Sequence, residues 1–204
     1  MKLADIIAVA GWSQSITARK RQPMLYDPDY SIREHVNAAG AALHGHFESE
    51  DKSRRPIRKA LRNLIEDARM LGFQDGAEYS GKKLTDKYAA KVAKQSKRQS
   101  RELATQIAKT TRKGLKNDSA YITTSDRAIT IAKHEGRKAY NKGLLEAMGG
   151  NGFGKTWVAS GDNPCDDCAE NEDDDIIDMD DVFTSGDSTP PAHPNCGCSL
   201  GVHT

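Results

Sequence analysis

The chain has 204 residues, of which 37% are hydrophobic and only 6% aromatic, enough for one domain of ordinary size or two small ones with a modest core. No apolar stretch approaches the length of a membrane span, so we expect no membrane partner. The net charge of +1 conceals an uneven distribution. Residues 151–204 contain one basic residue, Lys155, and twelve acidic residues, which leaves 29 basic and 17 acidic residues in 1–150. We therefore expect a basic body that faces a polyanion or an acidic partner, or else attraction between the two parts.

The N-terminal sequence MKLADIIAVAGW resembles a signal peptide only superficially. Asp5 interrupts an apolar run that is already too short, so we expect no export. The stretch is better interpreted as a short amphipathic helix or docking tail, followed by a linker. This tail and linker form the first predicted region, residues 1–30, and the expected location is the cytosol or a structure assembled there.

The second predicted region, residues 31–148, has a helical pattern. Apolar residues recur at i, i+4, i+7, i+8, i+11 and i+14, which is typical of a helix face packed in a core. The residues of this stripe are Ile57, Leu61, Leu64, Ile65, Ala68 and Leu71. Another helix is predicted from about Ser125 to Met148.

The segment from Lys82 to Lys116 contains twelve basic residues against two acidic ones, Asp86 and Glu102. Its apolar stripe is thin, so a helix here would expose most of its surface. Lys and Arg side chains on several faces can follow a phosphate backbone without reading its sequence, although a solvated helix face fits such a charge run equally well. The predicted DNA-binding residues are Lys82, Lys83, Lys87, Lys91, Lys94, Lys97, Arg98, Arg101, Lys109, Arg112, Lys113 and Lys116.

The glycine-rich stretch from Gly149 to Thr156 fits the phosphate-loop pattern G-x-x-x-x-G-K-[ST]. That motif requires a strand before it and a helix after it. Here a predicted helix ends at Met148 and a predicted strand, Thr156 to Val158, follows. We therefore interpret the glycines as a helix-terminating turn rather than a nucleotide site.

All four cysteines lie in the third predicted region, residues 149–204, as one C-x-x-C pair and one C-x-C pair, with a histidine three residues before the second pair. Clustered soft ligands of this kind predict a structural zinc knuckle. The candidate ligands are Cys165, Cys168, His193, Cys196 and Cys198. His193 and Cys198 compete for the last of four places. Two disulfides, or four unligated thiols, are the alternative, but a reducing compartment favours metal.

A catalytic zinc site is also conceivable, because His134 and the C-x-x-C pair resemble the H-x-E and P-C-x-x-C arrangement of zinc deaminases. In that arrangement the glutamate lies two residues from the histidine, whereas Glu135 is adjacent to His134. The sequence offers no obvious general base, so we expect no enzyme.

The predicted fold class is mainly α, with an extended helical N-terminal body followed by a small β-containing zinc-knuckle module. Trp157 and Phe183 are expected to pack around the zinc. The acidic run extends from Glu170 to Asp181, and the apolar residues within it and directly after it are expected to form a small strand or a patch against Trp157. They are Ile176, Ile177, Met179, Val182 and Phe183.

A series of motifs follows Arg127 in a specific order. They are Ile131-Ala132-Lys133-His134-Glu135, then Ala139 and Asn141, the Gly149 to Gly154 turn, Lys155 and Trp157, Cys165 and Cys168, and the closing stretch from Pro190 to Cys198. Over roughly the last 80 residues this order resembles the phage Mu F-like minor head proteins, also called phage head morphogenesis proteins. That family more often has Arg-Thr at Lys133-His134 and Arg at Gly197, which leaves the candidate zinc ligands intact.

The resemblance implies a minor structural component of a tailed-phage head, found in the virion at the portal vertex and head interior, and in the host cytoplasm during assembly. Such a protein acts in head morphogenesis or in handling the packaged genome. The implied partners are the portal protein, the major capsid or scaffolding protein, and packaged double-stranded DNA. The resemblance does not imply an enzyme. A freestanding zinc-stabilised DNA-binding protein is the main alternative, and a small zinc metalloenzyme is a third.

Overall fold

A computed structural model describes residues 24–25, 28–49, 53–117, 120–150, 152–161 and 164–204. The tail predicted at the N-terminus lies largely outside these residues, and the division of the chain into three regions stays a prediction. In chain order the elements are β1 (Met24–Leu25), α1 (Pro28–Ser31), α2 (Arg33–Glu48), α3 (Arg55–Ser80), α4 (Asp86–Lys116), a 3₁₀ turn (Ala120–Thr123), α5 (Ser125–Met148), β2 (Gly154–Val158), α6 (Asp166–Asp173), β3 (Ile177–Asp178) and β4 (Ser199–His203). The predicted fold class, mainly α with a small β-containing C-terminal module, is confirmed.

The helix boundaries follow from capping groups in the sequence. Helix α3 ends at Gly81, whose φ of 69° is the left-handed conformation that glycine adopts most easily. Helices α4 and α5 are each preceded by a threonine. The Thr85 and Thr124 hydroxyls accept hydrogen bonds from the backbone N–H groups of Tyr88 and Arg127, so each satisfies an N–H group that the helix leaves unpaired. Helix α4 therefore begins at Asp86, four residues later than the basic segment itself.

A first apolar core joins α2, α3, α4 and the N-terminal part of α5. The predicted stripe on α3 is buried from Ile57 to Ala68, and Leu71 is partly buried against this core. The buried face of α4 consists mainly of small or polar residues between Val92 and Ile107, such as Ser96, Ser100 and Ala104. These residues explain why the hydrophobic pattern of α4 is thin in the sequence although the helix is packed along its length.

Glycine lets α3 and α5 cross at close range, and this pair forms the most extensive interhelical contact in the described residues. A Cβ atom at Gly72 would collide with the carbonyl group of Tyr140, and one at Gly143 would collide with that of Arg69. The buried Arg69 guanidinium then donates to Glu146 on α5, at 2.9 Å, and to Gln95 on α4, at 2.6 Å. The three longest helices are thus joined by both close packing and a buried ionic network.

The C-terminal module is a four-stranded antiparallel sheet in the order β1-β4-β2-β3. Strands β2 and β4 pair over five residues each, from Gly154 opposite His203 to Val158 opposite Ser199. The sheet and the cysteine loops enclose a second apolar core, to which the end of α5 contributes Leu144 and Met148. Helix α5 therefore belongs to both cores and fixes the module against the helical body.

Within the acidic run, the apolar prediction is partly wrong. Ile177 pairs in β3, and Met179 and Phe183 are buried, as expected. Ile176 and Val182, however, are 47% and 59% exposed. Ile176 directly precedes β3 and Val182 lies in the loop that follows it, and neither side chain joins the core that Met179 and Phe183 enter.

Candidate metal centre and basic groove

The five candidate ligands are brought together from two separate parts of the C-terminal module. Cys165 immediately precedes α6, and Cys168 lies in its first turn, so the C-x-x-C pair is positioned by a helix N-terminus. His193, Cys196 and Cys198 lie in the loop that leads into β4. Cys168, Cys196 and Cys198 are buried, whereas Cys165 is exposed. The structure contains no disulfide among them.

The donor atoms lie at the spacing of a tetrahedral metal site or, for one pair, somewhat closer. The Cys168 and Cys196 sulfurs are 3.8 Å apart. The His193 Nε2 atom is 3.1 Å from the Cys165 sulfur and 3.7 Å from the Cys168 sulfur. Four ligands at about 2.0 to 2.3 Å from one ion lie roughly 3.5 to 3.8 Å apart in a tetrahedron. The residues present therefore fit a metal ion.

The donors form two groups of three, and both groups contain Cys168. One group is Cys165, Cys168 and His193, and the other is Cys168, Cys196 and Cys198. Within each group the donor atoms lie within 4.8 Å of one another. A single tetrahedral ion takes four of the five donors. Cys168 is the donor that the two groups share, while the choice between His193 and Cys198 stays open.

The His193 ring is oriented as a ligand requires. Its Nδ1 atom is 2.9 Å from the carbonyl oxygen of Pro194. A hydrogen bond there places the proton on Nδ1 and leaves the Nε2 lone pair directed at the two sulfurs, which is the usual outer-shell arrangement of a metal-binding histidine.

Burial and neighbouring donors set the pKa values of the thiols. Burial is the main cause that raises the pKa of Cys168 and of Cys196. The exposed Cys165 has a lowered pKa, chiefly because the Cys168 backbone N–H stabilises its thiolate. Burial opposes ionisation of Cys198, but the Trp157 indole and the Ser160 backbone lower its pKa overall. The Trp157 N–H makes no hydrogen bond of regular geometry in the described residues.

The module around the cysteines is held by buried polar contacts. The Lys155 side chain is fully buried, and its Nζ atom donates to the carbonyl oxygens of Met179, Asp181 and Ser188 at 2.6 to 3.0 Å. Burial lowers the pKa of Lys155 to about 8, against the opposing effect of Asp181. The motif lysine of the glycine-rich stretch is thus inside the module, in strand β2, and unavailable to a phosphate.

The predicted packing of two aromatic residues in the second core is confirmed. Trp157 and Phe183 form an edge-to-face pair with ring centroids 5.2 Å apart, and both belong to the cluster that contains three of the cysteines.

Two residues of α5 attach the cysteine loops to the helical body. Arg137 makes a two-pronged ion pair with Asp29, at 2.6 and 2.8 Å, and donates to the carbonyl oxygen of Cys196 at 2.8 Å. The Asn141 amide donates to the carbonyl oxygen of Pro190 at 2.7 Å. Asn141 was singled out only as part of a motif, and its hydrogen bond gives it a structural role in positioning the ligand loop.

Glu135 is directed away from this centre. Its carboxylate accepts a long hydrogen bond of 3.5 Å from Gln99 on α4, and burial raises the pKa of Glu135. His134, by contrast, lies near His193, and burial lowers its pKa. His134 thus lies beside the cysteine cluster, whereas the adjacent Glu135 faces α4.

Eleven of the twelve predicted DNA-binding residues are exposed on α4 or just before it. The exception is Lys82, which is half-buried and donates to the carbonyl oxygens of Glu146, at 3.2 Å, and Gly149, at 2.6 Å. Lys82 therefore caps the C-terminus of α5. Lys91 also contacts Glu146, at 3.1 Å, and Arg98 pairs with Glu102 on its own helix.

The structure adds basic residues that the sequence did not single out. Two open cavities lie along α4, one of about 700 Å³ between α3 and α4 and one of about 510 Å³ between α4 and Arg54, and together we call them the basic groove. The α3 side contributes Arg55, Arg58, Lys59 and Arg62, and Arg54 precedes the helix. The α4 side contributes Lys97, Arg101, Lys109, Arg112, Lys113 and Lys116. The sequence signal was the helical spacing of Arg55, Arg58, Lys59 and Arg62, which places all four beside one another on α3.

Across the described part of the chain, the longest helices are too polar for any of them to traverse a lipid bilayer.

Comparison with known families gives a match over residues 59–201 to the family described as Phage Mu protein F like protein. The matched residues run from α3 through β4 and include the whole cysteine cluster. Comparison with curated proteins gives no match, and comparison with solved structures gives none either. Because the match covers more than two thirds of the sequence, the chain belongs to the phage Mu F-like family.

Proposed function

We propose that this chain is a minor structural protein of a tailed-phage head, located in the virion at the portal vertex and head interior and made in the host cytoplasm. The observation that carries this proposal is the family match, which includes both the helical body and the cysteine cluster. The proposed role is binding during head assembly or genome handling, without catalysis. Its proposed partners are the portal protein and the major capsid or scaffolding protein.

The ion that we propose for the cysteine cluster is zinc, because thiolate and imidazole donors in a compact set favour it. Cys165, Cys168 and Cys196 would hold it together with His193 or Cys198. Bound zinc would neutralise the thiolates and cross-link α6 to the loop before β4. Arg137 and Asn141 position that loop from α5, so the ion would stabilise a rigid module on the helical body.

Packaged double-stranded DNA is the proposed partner of the basic groove. Lys97 and Lys116 lie about 29 Å apart along α4, a length that spans roughly eight base pairs of duplex. Lys and Arg along both walls would contact phosphates without reading bases. The groove residues of α3 and α4, rather than Lys82 or Lys91, are the ones we assign to this contact.

The test of the head assignment is the protein composition of purified phage heads. In proheads assembled from co-expressed portal, capsid and scaffolding proteins, the chain should be incorporated at a fixed ratio to the portal. Heads assembled without the portal should lose it. Absence from both kinds of head would contradict the proposal.

The freestanding zinc-stabilised DNA-binding protein is the second candidate, and the basic groove is the observation in its favour. It would bind duplex DNA with a steep salt dependence but would be absent from heads. A metalloenzyme would in addition require an ion with an open coordination position. Head composition therefore separates the first candidate from the other two.

A further inference from the structure

We propose that α6 of one copy docks in the basic groove of a second copy, so that copies of this chain join head to tail. Helix α6 carries five exposed carboxylates, four of which lie on or beside one face, and the groove presents exposed basic side chains from two helices. This inference goes beyond the proposed function and does not rest on it. It concerns the chain's association with itself, whatever larger structure it enters. Helix α6 and duplex DNA would compete for the same groove, so a copy engaged in this contact would not bind DNA there.

The acidic side of the contact is a helix face. Asp166, Glu170 and Asp173 are spaced i, i+4 and i+7 and share one face of α6, with Asp167 beside them. All four are exposed, while Cys168 on the opposite side is buried. In the part of the chain that the structure describes, none of the four carboxylates forms an ion pair with Lys or Arg. The one basic residue of the module, Lys155, is buried, so nothing on the surface of the module offsets their charge.

The basic side of the contact is long enough for the acidic helix. Helix α6 is about 12 Å long, and the basic side chains of the groove extend for about 29 Å along α4. Exposed Arg58, Lys59 and Arg101 have no ion-pair partner among the described residues. Two carboxylates also line the groove, but Glu66 lies 3.4 Å from Arg62, and Asp67 lies 3.2 Å from His35.

The fold keeps the two surfaces apart within one chain. Helix α6 contacts β2, whereas α4 contacts α3 and the 3₁₀ turn. The attraction between the two halves of the chain that the charge distribution suggested is therefore not formed by α6 and the groove of the same molecule. A net charge of only +1 means that whole copies repel one another little, so complementary surfaces can dominate their encounter.

Two different surfaces meeting in this way make a heterologous contact, which repeats from copy to copy and closes into a ring or extends as a filament. Such a contact should be strongly dependent on salt, because its charges are exposed.

The experiment is sedimentation velocity on the full-length, metal-loaded protein over a concentration series, at about 50 mM and about 500 mM sodium chloride. We expect association at low salt, weakened on the order of tenfold or more at high salt. The groove variant, Arg58→Glu with Arg101→Glu, and the module variant, Glu170→Lys with Asp173→Lys, should each be monomeric. Lys83→Glu with Lys87→Glu, which changes the same number of exposed charges outside the groove, should associate like the wild type.

Mixing the two variants gives the decisive result. The charges reversed by Arg58→Glu and Arg101→Glu in the first variant then face the charges reversed by Glu170→Lys and Asp173→Lys in the second. The unchanged α6 of the first and groove of the second also complement each other, so the mixture should regain association. Failure of the mixture to associate, or a monomeric wild type at low salt, overturns the proposal. If a duplex DNA probe binds the monomeric wild type and loses affinity in the groove variant, the groove belongs to nucleic acid instead. The head-composition experiment tests the proposed function separately, so neither association nor DNA binding in this experiment decides it.

Discussion

Gly143 of α5 lies directly against the backbone of Arg69 in α3, so closely that a Cβ atom at Gly143 would overlap the Arg69 carbonyl oxygen. The same crossing brings the Arg69 side chain within hydrogen-bond distance of Glu146, one turn further along α5. One glycine thus permits both the approach of the two backbones and the buried ion pair beside it.

Replacing Gly143 by alanine should therefore destabilise the protein, although alanine is the better helix former. The helices must separate to admit the methyl group, which costs about 1 to 3 kcal/mol or more and lowers the melting temperature by at least about 2 to 4 °C. The matched control is Gly45→Ala, an exposed position in α2 where a Cβ meets nothing within 4 Å. It should gain about 0.5 to 1 kcal/mol. Equal melting temperatures for the two variants would contradict this account of the crossing.

Glu135 should make stability depend on pH in a predictable direction. Burial raises the pKa of Glu135. At a pH between its ordinary pKa and this raised pKa, the folded state therefore binds more protons than the unfolded state. The free energy of unfolding consequently falls as the pH rises through this range. Above this pH range the buried carboxylate is ionised and lowers the free energy of unfolding. Glu135→Gln should therefore raise the melting temperature at neutral pH, and its advantage should shrink as the pH falls towards the ordinary value of a glutamate.

The control for Glu135 is Glu102→Gln, which removes an exposed carboxylate paired with Arg98 on the same helix. Its effect should stay within about 0.5 kcal/mol at every pH. Measuring each variant as a difference from the wild type removes the contribution of thiol protonation in the metal centre. A neutral-pH melting temperature that falls in Glu135→Gln would show that the carboxylate is stabilising instead.

Cys168→Ser should abolish metal binding more completely than any other single ligand change. Cys168 belongs to both groups of donors, so its loss leaves neither group of three complete, whereas loss of His193 or of Cys198 leaves one group intact. We expect about one zinc per chain in the wild type and little in Cys168→Ser. His193→Ala and Cys198→Ser should retain the ion with weakened affinity. Metal analysis and competition with a chelator rank the zinc affinities of the wild type and the three variants. The absorption of the cobalt-substituted protein reports how many thiolates bind the ion in each. Full zinc content in Cys168→Ser would contradict the shared-donor arrangement.

The sequence was most informative where local chemistry decides the structure. Helix α5 was predicted from Ser125 to Met148 and has those bounds, because a threonine cap precedes it and a glycine run follows it. The cysteine cluster was predicted from ligand spacing, and its donors do converge. The helix bounds depend on neighbouring residues, and the ligand set is recognisable because each half of it, C-x-x-C and H-x-x-C-x-C, is a short motif of its own.

Features that depend on which helices pack together could not be predicted from the sequence. The basic groove needs α3 beside α4, and the structural use of Lys82 needs the end of α5 beside the turn before α4. Gly72 and Gly143 are also unremarkable in a helix pattern until the opposing backbone is known. Each of these is a long-range contact, whose partner a single sequence does not identify.

Lys155→Met should destabilise the C-terminal module, because the change removes a buried ammonium group that donates to three carbonyl oxygens and retains most of the side-chain volume. Loss of these three hydrogen bonds costs about 3 kcal/mol or more, which lowers the melting temperature by at least about 6 °C. Calorimetry and the fluorescence of Trp157, which lies in the same core, measure the loss. The control is Lys133→Met on the exposed surface of α5, which should change stability by less than about 0.5 kcal/mol. Because the module carries the metal ligands, Lys155→Met should also lower zinc affinity, although Lys155 is not a ligand. Unchanged melting together with unchanged zinc affinity would mean that the buried ammonium group does not hold the module together.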